Sequence, residues 1–511
     1  MMLPRLAFGF ALAGAMGCHR SDPTPDAGVD HVTVDSSLGP RNKVDVLFML
    51  DNSNPLPEEE SLKRNFDRLI SVLGDLSTIG IEVDLHIGVV TSDYGAGATG
   101  APGCQPSPGG QLGKLQTGGG PGANCQGPTT AGNKNFIEYD FAHPAMANLP
   151  PGQDLVQTFS CMANVGVQGC GFEHPLESVH AALHNGLPEN AGFLRDDALL
   201  AVFFLTDEDD ASASPTTDIF DRNKVAAYGY EDSYSRQTRF AIVCGPGEGM
   251  SPPYNDSGGP LSNCRGAPNP NASETYAGDG PGKQYPVDRY IDFFTRPAAQ
   301  GGVKVNPRDV ILFAIDAPSE PFQVILSNPG TPGGMSYEQC HEVNENANPP
   351  CVPVLQHSCQ NPQQPVYFGD PAVRLNQVVN AAATHGIHSI CDLDYGGALE
   401  RFGRLLAANV VGGCIPEALA DPAKPDCSVG WQTNLIDGKP APIPNCAAGS
   451  MTFELDPSDR YDVCWKIEPK AACQAISPDG VGITIVTTDP DTGMTKTPPA
   501  SAQMTAACVS K

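Results

Sequence analysis

Short apolar runs recur along most of the chain, each bounded by polar residues. Val44–Leu50, Leu199–Leu205 and Val310–Ile315 are apolar almost throughout, the pattern of strands buried on both faces of a parallel sheet. Val83–Thr91 predicts another strand, and His388–Cys391 a short one. The pattern therefore predicts one extended sheet with a buried centre.

Segments with helical spacing of apolar residues separate these strands. The first begins at Glu58, where acidic residues in the first turn favour the helix dipole. Further stripes are Leu176/Val179/Leu183, Val287/Tyr290/Ile291/Phe294, Leu375/Val378/Val379/Ala382 and Leu399/Phe402/Leu406. Strands that alternate with helices predict an α/β fold, a doubly wound and mostly parallel sheet flanked by helices. Such sheets bind ligands at the carboxyl ends of their strands.

Gly- and Pro-rich segments interrupt this rhythm at about 95–153, 245–285 and 317–370, and each contains cysteines. We interpret them as surface insertions restrained by disulfides. After Cys414 the pattern changes to short strand-like runs, such as Met451–Leu455 and Val481–Thr487. The sequence thus predicts an α/β domain with insertions over 43–413 and a small disulfide-rich β domain over 414–511.

The first eighteen residues have the pattern of an export signal. Arg5 precedes the stretch Leu6–Met16, which is interrupted only by glycines and is too short to span a bilayer. Residues 15–18, Ala-Met-Gly-Cys, resemble the lipobox of bacterial lipoproteins, although Ala15 replaces the usual Leu. In that motif the cysteine, here Cys18, is lipidated. An ordinary secretory signal with an unrelated cysteine is the alternative.

The polar, Pro-rich residues 19–42 are expected to form a flexible linker between the lipid and the first domain. A lipidated protein is expected in the cell envelope, at the outer membrane or cell surface. No later apolar run reaches membrane-spanning length, so the lipid is the expected membrane contact.

The chain has 17 cysteines, and setting Cys18 aside leaves an even sixteen. Such a number suits up to eight disulfides in an oxidising compartment. The spacing does not determine connectivity. Candidate disulfide cysteines are Cys104, Cys125, Cys161, Cys170, Cys464 and Cys473, with Cys161/Cys170 and Cys464/Cys473 as candidate pairs of near neighbours.

The charge balance limits the classes of partner. The chain has 58 acidic and 30 basic residues, a formal net charge of −28. Nucleic acids and anionic lipid surfaces require basic patches on a binding protein, so neither is an expected partner.

Polar residues directly follow two of the predicted strands. Asp51-Asn52-Ser53-Asn54-Pro55 follows the run ending at Leu50, and an acidic run, Asp207–Asp210, follows Leu205-Thr206. This resembles the von Willebrand factor type A family, in which an Asp-x-Ser-x-Ser loop and a later Asp build a metal-ion-dependent adhesion site. The resemblance spans roughly 43–410. Together with residues 169–173, Gly-Cys-Gly-Phe-Glu, it is similar to cysteine-bearing lipoproteins of this family in myxobacteria-like organisms.

The resemblance implies a site for Mg²⁺ or another divalent cation, completed by a carboxylate of the partner. Asp51 and Ser53 match the loop ligands, and Asp207 matches the later Asp. Pro55 stands where a second serine is expected and has no hydroxyl. The family's threonine is missing, and Glu173 is its candidate replacement as an oxygen ligand.

Two alternatives remain open at these positions. Asp51 and Ser53 either hold a cation or only cap the following helix or turn in a metal-free site. The acidic run Asp207–Asp210 is either a solvated loop or the rim of a cation site.

Other motifs are weaker evidence for a functional site. The segment Gly95–Gly100 matches Gly-x-Gly-x-x-Gly but runs into Pro102 instead of opening a helix, which argues against a dinucleotide site. His385, His388, Cys391 and Asp392 have metal-like spacing. We favour a packed histidine and a disulfide cysteine there. Residues 489–493, Asp-Pro-Asp-Thr-Gly, predict a turn.

We therefore expect a binding or adhesion protein that contacts a protein or other extracellular or envelope ligand through the upper edge of its sheet. A structural envelope or surface-coat protein with a metal-free site is the alternative, which Pro55 favours. The sequence has no nucleophile elbow, His-Glu-x-x-His motif or phosphate loop, so no enzyme is expected. A hydrolase with residues distant in sequence is the least favoured class.

Overall fold

The computed structural model describes residues 31–37, 41–53, 57–96, 104, 110–118, 125–128, 134–214, 217–221, 240–245, 260–267, 283–327, 352–436, 439–456, 459–496 and 503–511. The expected signal peptide with Cys18 lies outside these residues, and so does Pro55. Within them, no helix is both long enough and apolar enough to cross a bilayer.

The described elements fall into strands and helices as follows. The strands are β1 His31–Ser37, β2 Lys43–Leu50, β3 Asp84–Thr91, β4 Ile137–Asp140, β5 Leu199–Leu205, β6 Ile242–Val243, β7 Arg265–Gly266, β8 Val310–Asp316, β9 Val324–Ser327, β10 Val352–Leu355, β11 Cys359–Gln360, β12 Phe368–Gly369, β13 Thr384–Ser389, β14 Cys427–Ile436, β15 Lys439–Pro442, β16 Met451–Asp456, β17 Asp459–Pro469, β18 Val481–Thr488 and β19 Gln503–Val509. The α-helices are α1 Pro57–Gly74, α2 Leu155–Met162, α3 Pro175–His184, α4 Asp288–Thr295, α5 Val373–Val379 and α6 Gly396–Val411.

A six-stranded sheet with the order β13-β8-β5-β2-β3-β4 forms the centre of the fold. Neighbouring strands are parallel except for β4, which runs antiparallel to β3. The chain moves outward from β2 in one direction and, from β5, outward in the other. The predicted mostly parallel sheet with flanking helices is confirmed. Its strand order reverses between β2 and β5, and the carboxyl ends at such a switch point are where open α/β sheets bind ligands.

Strand alternation divides the buried side chains between two cores, one on each face of the sheet. Phe48 belongs to the core beneath α1, α2 and α6, while its neighbour Leu47 belongs to the core beneath α3, α4 and α5. The Phe48 ring has aromatic neighbours with centroids 4.7 to 6.5 Å away, namely Phe66, Phe159, Phe203 and Phe402. Both faces of β2 are therefore fully covered, which positions its carboxyl end rigidly.

The predicted strand His388–Cys391 is wrong in its bounds, because β13 starts at Thr384 and ends at Ser389. Gly386 lies opposite Phe313 of β8, and a Cβ at this glycine would lie 2.7 Å from the Phe313 ring. The strand thus needs a glycine at a position where a buried strand would normally have an apolar side chain. This edge strand therefore carries no sequence signal of a buried one.

Two elements were missed in and beside the segment predicted as a loop at 95–153. The strand β4 pairs with β3 as a short antiparallel edge. The helix α2 begins with a capping box, in which the Asp154 carboxylate accepts a hydrogen bond from Gln157 N (2.8 Å) and Gln157 Oε1 accepts one from Asp154 N (3.1 Å). The Asp-x-x-Gln pattern was the available signal for this helix.

The strands predicted near Met451 and Val481 are present as β16 and β18. They belong to a three-stranded sheet, β16-β17-β18, beside a four-stranded sheet, β1-β19-β14-β15. The flexible linker predicted for 19–42 is wrong for 31–37, because β1 pairs antiparallel with β19 over seven residues. The partner strand lies at the other end of the chain, so a local pattern could not reveal the pairing.

Seven disulfides join cysteines of the described residues: Cys104–Cys170, Cys125–Cys161, Cys244–Cys264, Cys359–Cys391, Cys414–Cys473, Cys427–Cys508 and Cys446–Cys464. All six candidate cysteines form disulfides, but both candidate pairs of near neighbours are wrong. Cys464 lies in the middle of the long strand β17, whose extended backbone carries the following residues away from it. Cys161 lies in the last turn of α2, and the chain then crosses to the upper edge of the sheet before Cys170, whose neighbour Gly169 donates its N–H to Asn52 O.

Candidate functional site

Asp51 directly follows β2 and is buried at the switch point of the sheet. Its backbone N–H donates to Leu205 O (3.0 Å), which holds the loop against the end of β5. Its carboxylate accepts hydrogen bonds from Ser53 N (2.9 Å, Oδ1) and from Thr206 Oγ1 (2.9 Å, Oδ2). Both carboxylate oxygens are therefore fixed by two loops that are 155 residues apart in the chain.

Glu173 lies just before α3, on a backbone pinned by two neighbouring segments. Its carbonyl accepts a hydrogen bond from Ala211 N (2.7 Å), and His174 N donates to Ser92 O (2.9 Å). The Glu173 side chain is fully buried, yet neither carboxylate oxygen has a hydrogen bond of normal geometry. A buried carboxylate without well-formed hydrogen bonds is rare and costly, so its position favours a compensating group.

Asp207 follows β5 and is 6% exposed. Its backbone carbonyl accepts a hydrogen bond from Asp370 N (2.8 Å), whereas its Oδ1 has no hydrogen-bond partner. The hydroxyl of Ser53 is likewise buried without a hydrogen bond of normal geometry. All four sequence-predicted residues, Asp51, Ser53, Glu173 and Asp207, therefore lie at this edge, and three of them present polar atoms without partners.

The carboxyl groups at this edge influence one another strongly. Burial raises the pKa of Asp51, even though the hydrogen bonds from Ser53 and Thr206 lower it. Burial raises the pKa of Glu173 and of Asp207 well above their usual range, and the nearby Asp51 carboxylate raises both further. The folded protein therefore favours a bound proton or cation at these groups over bare, charged carboxylates.

The neighbouring histidine does not supply that charge. His174 is fully buried, and neither ring nitrogen has a hydrogen-bond partner. Burial lowers its pKa to about 3. The imidazole is therefore neutral at physiological pH and leaves the charge of Glu173 uncompensated.

The negative charges of Asp209 and Asp210, the second half of the acidic run, have partners of their own. The buried Arg374 guanidinium donates to Asp210 Oδ2 from Nε (3.1 Å) and Nη2 (2.9 Å), and the Asp209 carboxylate accepts from the backbone N–H groups of Arg374 and Leu375. All four residues Asp207–Asp210 are buried, so the solvated-loop interpretation is wrong. The structure instead places the run inside the upper edge of the sheet.

Three residues of this edge were missed in the sequence. Thr206 Oγ1 donates to Asp51, and Ser92, which directly follows β3, donates from Oγ to Asp51 Oδ1 (3.4 Å). For Glu58 the sequence pattern indicates only a favourable charge at the start of α1. It is buried, and burial together with the Asp51 carboxylate raises its pKa to about 7. The available signal for Thr206 and Ser92 was their position directly after a strand.

The donor atoms at this edge fit a hard cation that keeps part of its water shell. Every group is an oxygen donor, the class preferred by Mg²⁺ and Ca²⁺. Across the described residues, no group of three or more His, Cys, Asp or Glu is arranged to ligate one ion directly. Direct ligation by Asp51 and Ser53, with Glu173 and Asp207 acting through water, is compatible with both observations because Mg²⁺ retains several waters.

The remaining motifs behave as packing and turn residues. Cys391 is disulfide-bonded to Cys359, and His388 pairs with Asp392 at 3.0 Å. The Asp489 carboxylate accepts hydrogen bonds from the N–H groups of Asp491 and Thr492, as the predicted turn requires. The Gly-rich segment at 95–100 falls mostly outside the described residues.

No family model matches the chain, and no curated protein matches it. A solved structure of "von Willebrand factor type A from Catenulispora acidiphila" is similar to it, with 9% sequence identity and a TM-score of 0.25. The match covers 95% of this chain and 62% of that chain, so the chain spans less than two thirds of its relative.

Proposed function

We propose that residues 43–413 form a cation-dependent binding module of the von Willebrand factor type A kind, carried by an exported protein that is lipid-anchored at Cys18. The observation that supports the cation is the set of buried oxygens on Ser53, Glu173 and Asp207 that lack hydrogen bonds of normal geometry beside the Asp51 carboxylate. A divalent cation would neutralise part of this charge. It would also supply the missing partners.

The same cation would give the module its binding chemistry. Protein oxygens that approach from one side leave coordination positions open for water or for an incoming ligand. A partner with an exposed carboxylate would displace water and bind the ion, as the family resemblance implies. The strongly acidic chain would repel such a partner without the cation, so binding is expected to require it. The partner class is a protein or another acidic ligand of the envelope or the extracellular space.

A structural role with a metal-free edge is the second candidate. Both Asp51 oxygens already accept hydrogen bonds, and a proton on Glu173 can be donated to Asp51, which relieves one charge. Pro55 removes one ligand that the family supplies. In that case the protein would serve as an envelope component whose upper edge binds no ion.

Thermal unfolding with and without Mg²⁺ separates the two candidates. We expect Mg²⁺ to raise the Tm of the chelator-treated protein by several °C, since a ligand at 100 times its Kd contributes about 2.7 kcal/mol. Asp51→Asn is expected to abolish the shift because it removes the charge at the centre of the site. Asp67→Asn, on the exposed face of α1, is the matched control and keeps the shift. An unshifted Tm for the unsubstituted protein favours the structural role instead.

Cation affinity is also expected to rise with pH. Below its raised pKa each of these carboxyls holds a proton that the cation must displace, so affinity rises about tenfold per pH unit for each proton released. For Glu58, with a pKa of about 7, stability relative to the unfolded chain is lost as pH rises from about 4.5 to 7, and the cation restores part of it. Calorimetric titration with Mg²⁺ between pH 5.5 and 8, in buffers of different ionisation enthalpy, measures both effects. Equal affinity across that range would argue against carboxylate ligands.

A further inference from the structure

A second group of buried oxygens lies on the neighbouring strand β8. Asp316 ends this strand with a fully buried side chain, and neither carboxylate oxygen has a hydrogen-bond partner. Ala314 and Leu312, two and four residues earlier, face the core beneath α3, α4 and α5. By strand alternation Asp316 points to the same side, toward the start of α5.

Asn376 of α5 lies beside it. Its side-chain Nδ2 donates to Ala317 O (3.0 Å) and to Ser319 Oγ (3.2 Å), which places the amide against the residues that follow Asp316. Its Oδ1 is buried and has no hydrogen-bond partner. The amide thus carries an unpartnered buried oxygen on a side chain that contacts the residue directly after Asp316.

Asp209 approaches from the loop after β5. Its oxygens accept hydrogen bonds from the N–H groups of Arg374 (2.9 Å) and Leu375 (3.0 Å), so it sits at the start of α5 within electrostatic reach of Asp316. Arg374 donates its side-chain hydrogen bonds to Asp210 and to Tyr285 O. The Asp209–Asp316 pair therefore receives no side-chain donor from that arginine.

A proton alone does not resolve this arrangement. Burial and the Asp209 carboxylate raise the pKa of Asp316 well above its usual range, so a neutral acid removes the charge. The new hydroxyl could donate to Asn376 Oδ1, but the second Asp316 oxygen would still need a donor, and the Asp209 charge would remain beside it. A divalent cation satisfies both carboxylates and the amide oxygen together.

We propose that Asp209, Asp316 and Asn376 form a second cation site, which takes Ca²⁺. Ca²⁺ accepts mixed shells of carboxylate, amide and hydroxyl oxygens in irregular geometry, whereas Mg²⁺ is dehydrated with difficulty. A buried set of side chains with few places for water therefore suits Ca²⁺. The bound ion joins the end of β8, the acidic loop after β5 and the start of α5, and so stabilises the upper edge of the sheet.

Equilibrium dialysis of the intact, chelator-treated protein against ⁴⁵Ca²⁺ tests this site. Asp316→Asn keeps the shape of the side chain and removes its charge, and we expect it to bind one Ca²⁺ fewer than the unsubstituted protein. Asp288→Asn, an exposed position at the start of α4, is the matched control and keeps the original stoichiometry. Asn376→Ser, which withdraws one ligand oxygen, is expected to weaken Ca²⁺ binding at least tenfold and serves if Asp316→Asn fails to fold.

The variants also separate this site from the one proposed at Asp51, which it does not require. Loss of the second Ca²⁺ in Asp316→Asn and its retention in Asp51→Asn support the proposal. An Asp316→Asn protein that binds Ca²⁺ with unchanged stoichiometry and affinity overturns it, whether or not its Tm increases. If only Asp51→Asn loses an ion, the Asp51 site stands and the second site falls. If only Asp316→Asn loses an ion, the second site stands and the Asp51 site is rejected.

Discussion

Replacing Arg374 with methionine is expected to lower the free energy of unfolding by about 3–5 kcal/mol. The guanidinium is 1% exposed and pairs with the fully buried Asp210, and its Nη2 also donates to Tyr285 O (2.7 Å). Methionine fills much of the volume but leaves the Asp210 charge buried without its cation. Urea denaturation followed by circular dichroism measures the change.

Two further variants make this result specific. Arg64→Met, at an exposed position of α1, is the control for a lost arginine and is expected to change stability by less than about 0.5 kcal/mol. The double variant Arg374→Met/Asp210→Asn removes the buried charge together with its partner and is expected to recover part of the loss. A cost below about 1 kcal/mol for Arg374→Met alone would contradict the buried ion pair.

Replacing Phe48 with alanine is expected to cost about 3–5 kcal/mol through the cavity it leaves. The ring lies in the core on the α1 face of the sheet and is surrounded by other aromatic rings, which cannot collapse into the space without leaving their own contacts. Met146→Ala is the control, because that side chain is 82% exposed. Chemical denaturation of both proteins gives the comparison. A loss of less than 1 kcal/mol at position 48 would mean that β2 is not buried on this face.

The fold is predictable from the sequence where a strand is buried on both faces, because such a strand is a continuous run of apolar residues. The strand Leu199–Leu205 has the bounds that the sequence predicts, because each of its residues is buried. The strand β13 was misplaced, since Gly386 makes room for the Phe313 ring and breaks the run. The strand β1 was missed because its stabilising partner, β19, lies more than 450 residues away in the chain. Local sequence patterns indicate which residues are buried, but they do not indicate which distant strands pair.

The candidate site was predictable in part for a related reason. Asp51 directly follows β2 and Asp207 comes two residues after β5, strands that the sequence marks clearly, and adjacent parallel strands bring their carboxyl ends together. Glu173 was found only through the family resemblance, and its missing hydrogen bonds could not be foreseen. The acidic run was ambiguous because its burial depends on Arg374, which lies 164 residues further along the chain. Burial of a charge becomes visible only when its distant partner is known.

The most direct measurement is anomalous diffraction from crystals of the protein soaked in Mn²⁺, a stand-in for Mg²⁺ with similar oxygen ligands. The account predicts an anomalous peak at the switch point of the sheet, within about 2.5 Å of oxygens of Asp51 and Ser53, and its loss in Asp51→Asn crystals. If Mn²⁺ binds elsewhere while Asp51 and Glu173 share only a proton, the upper edge is a metal-free structural surface and the proposed binding function is contradicted.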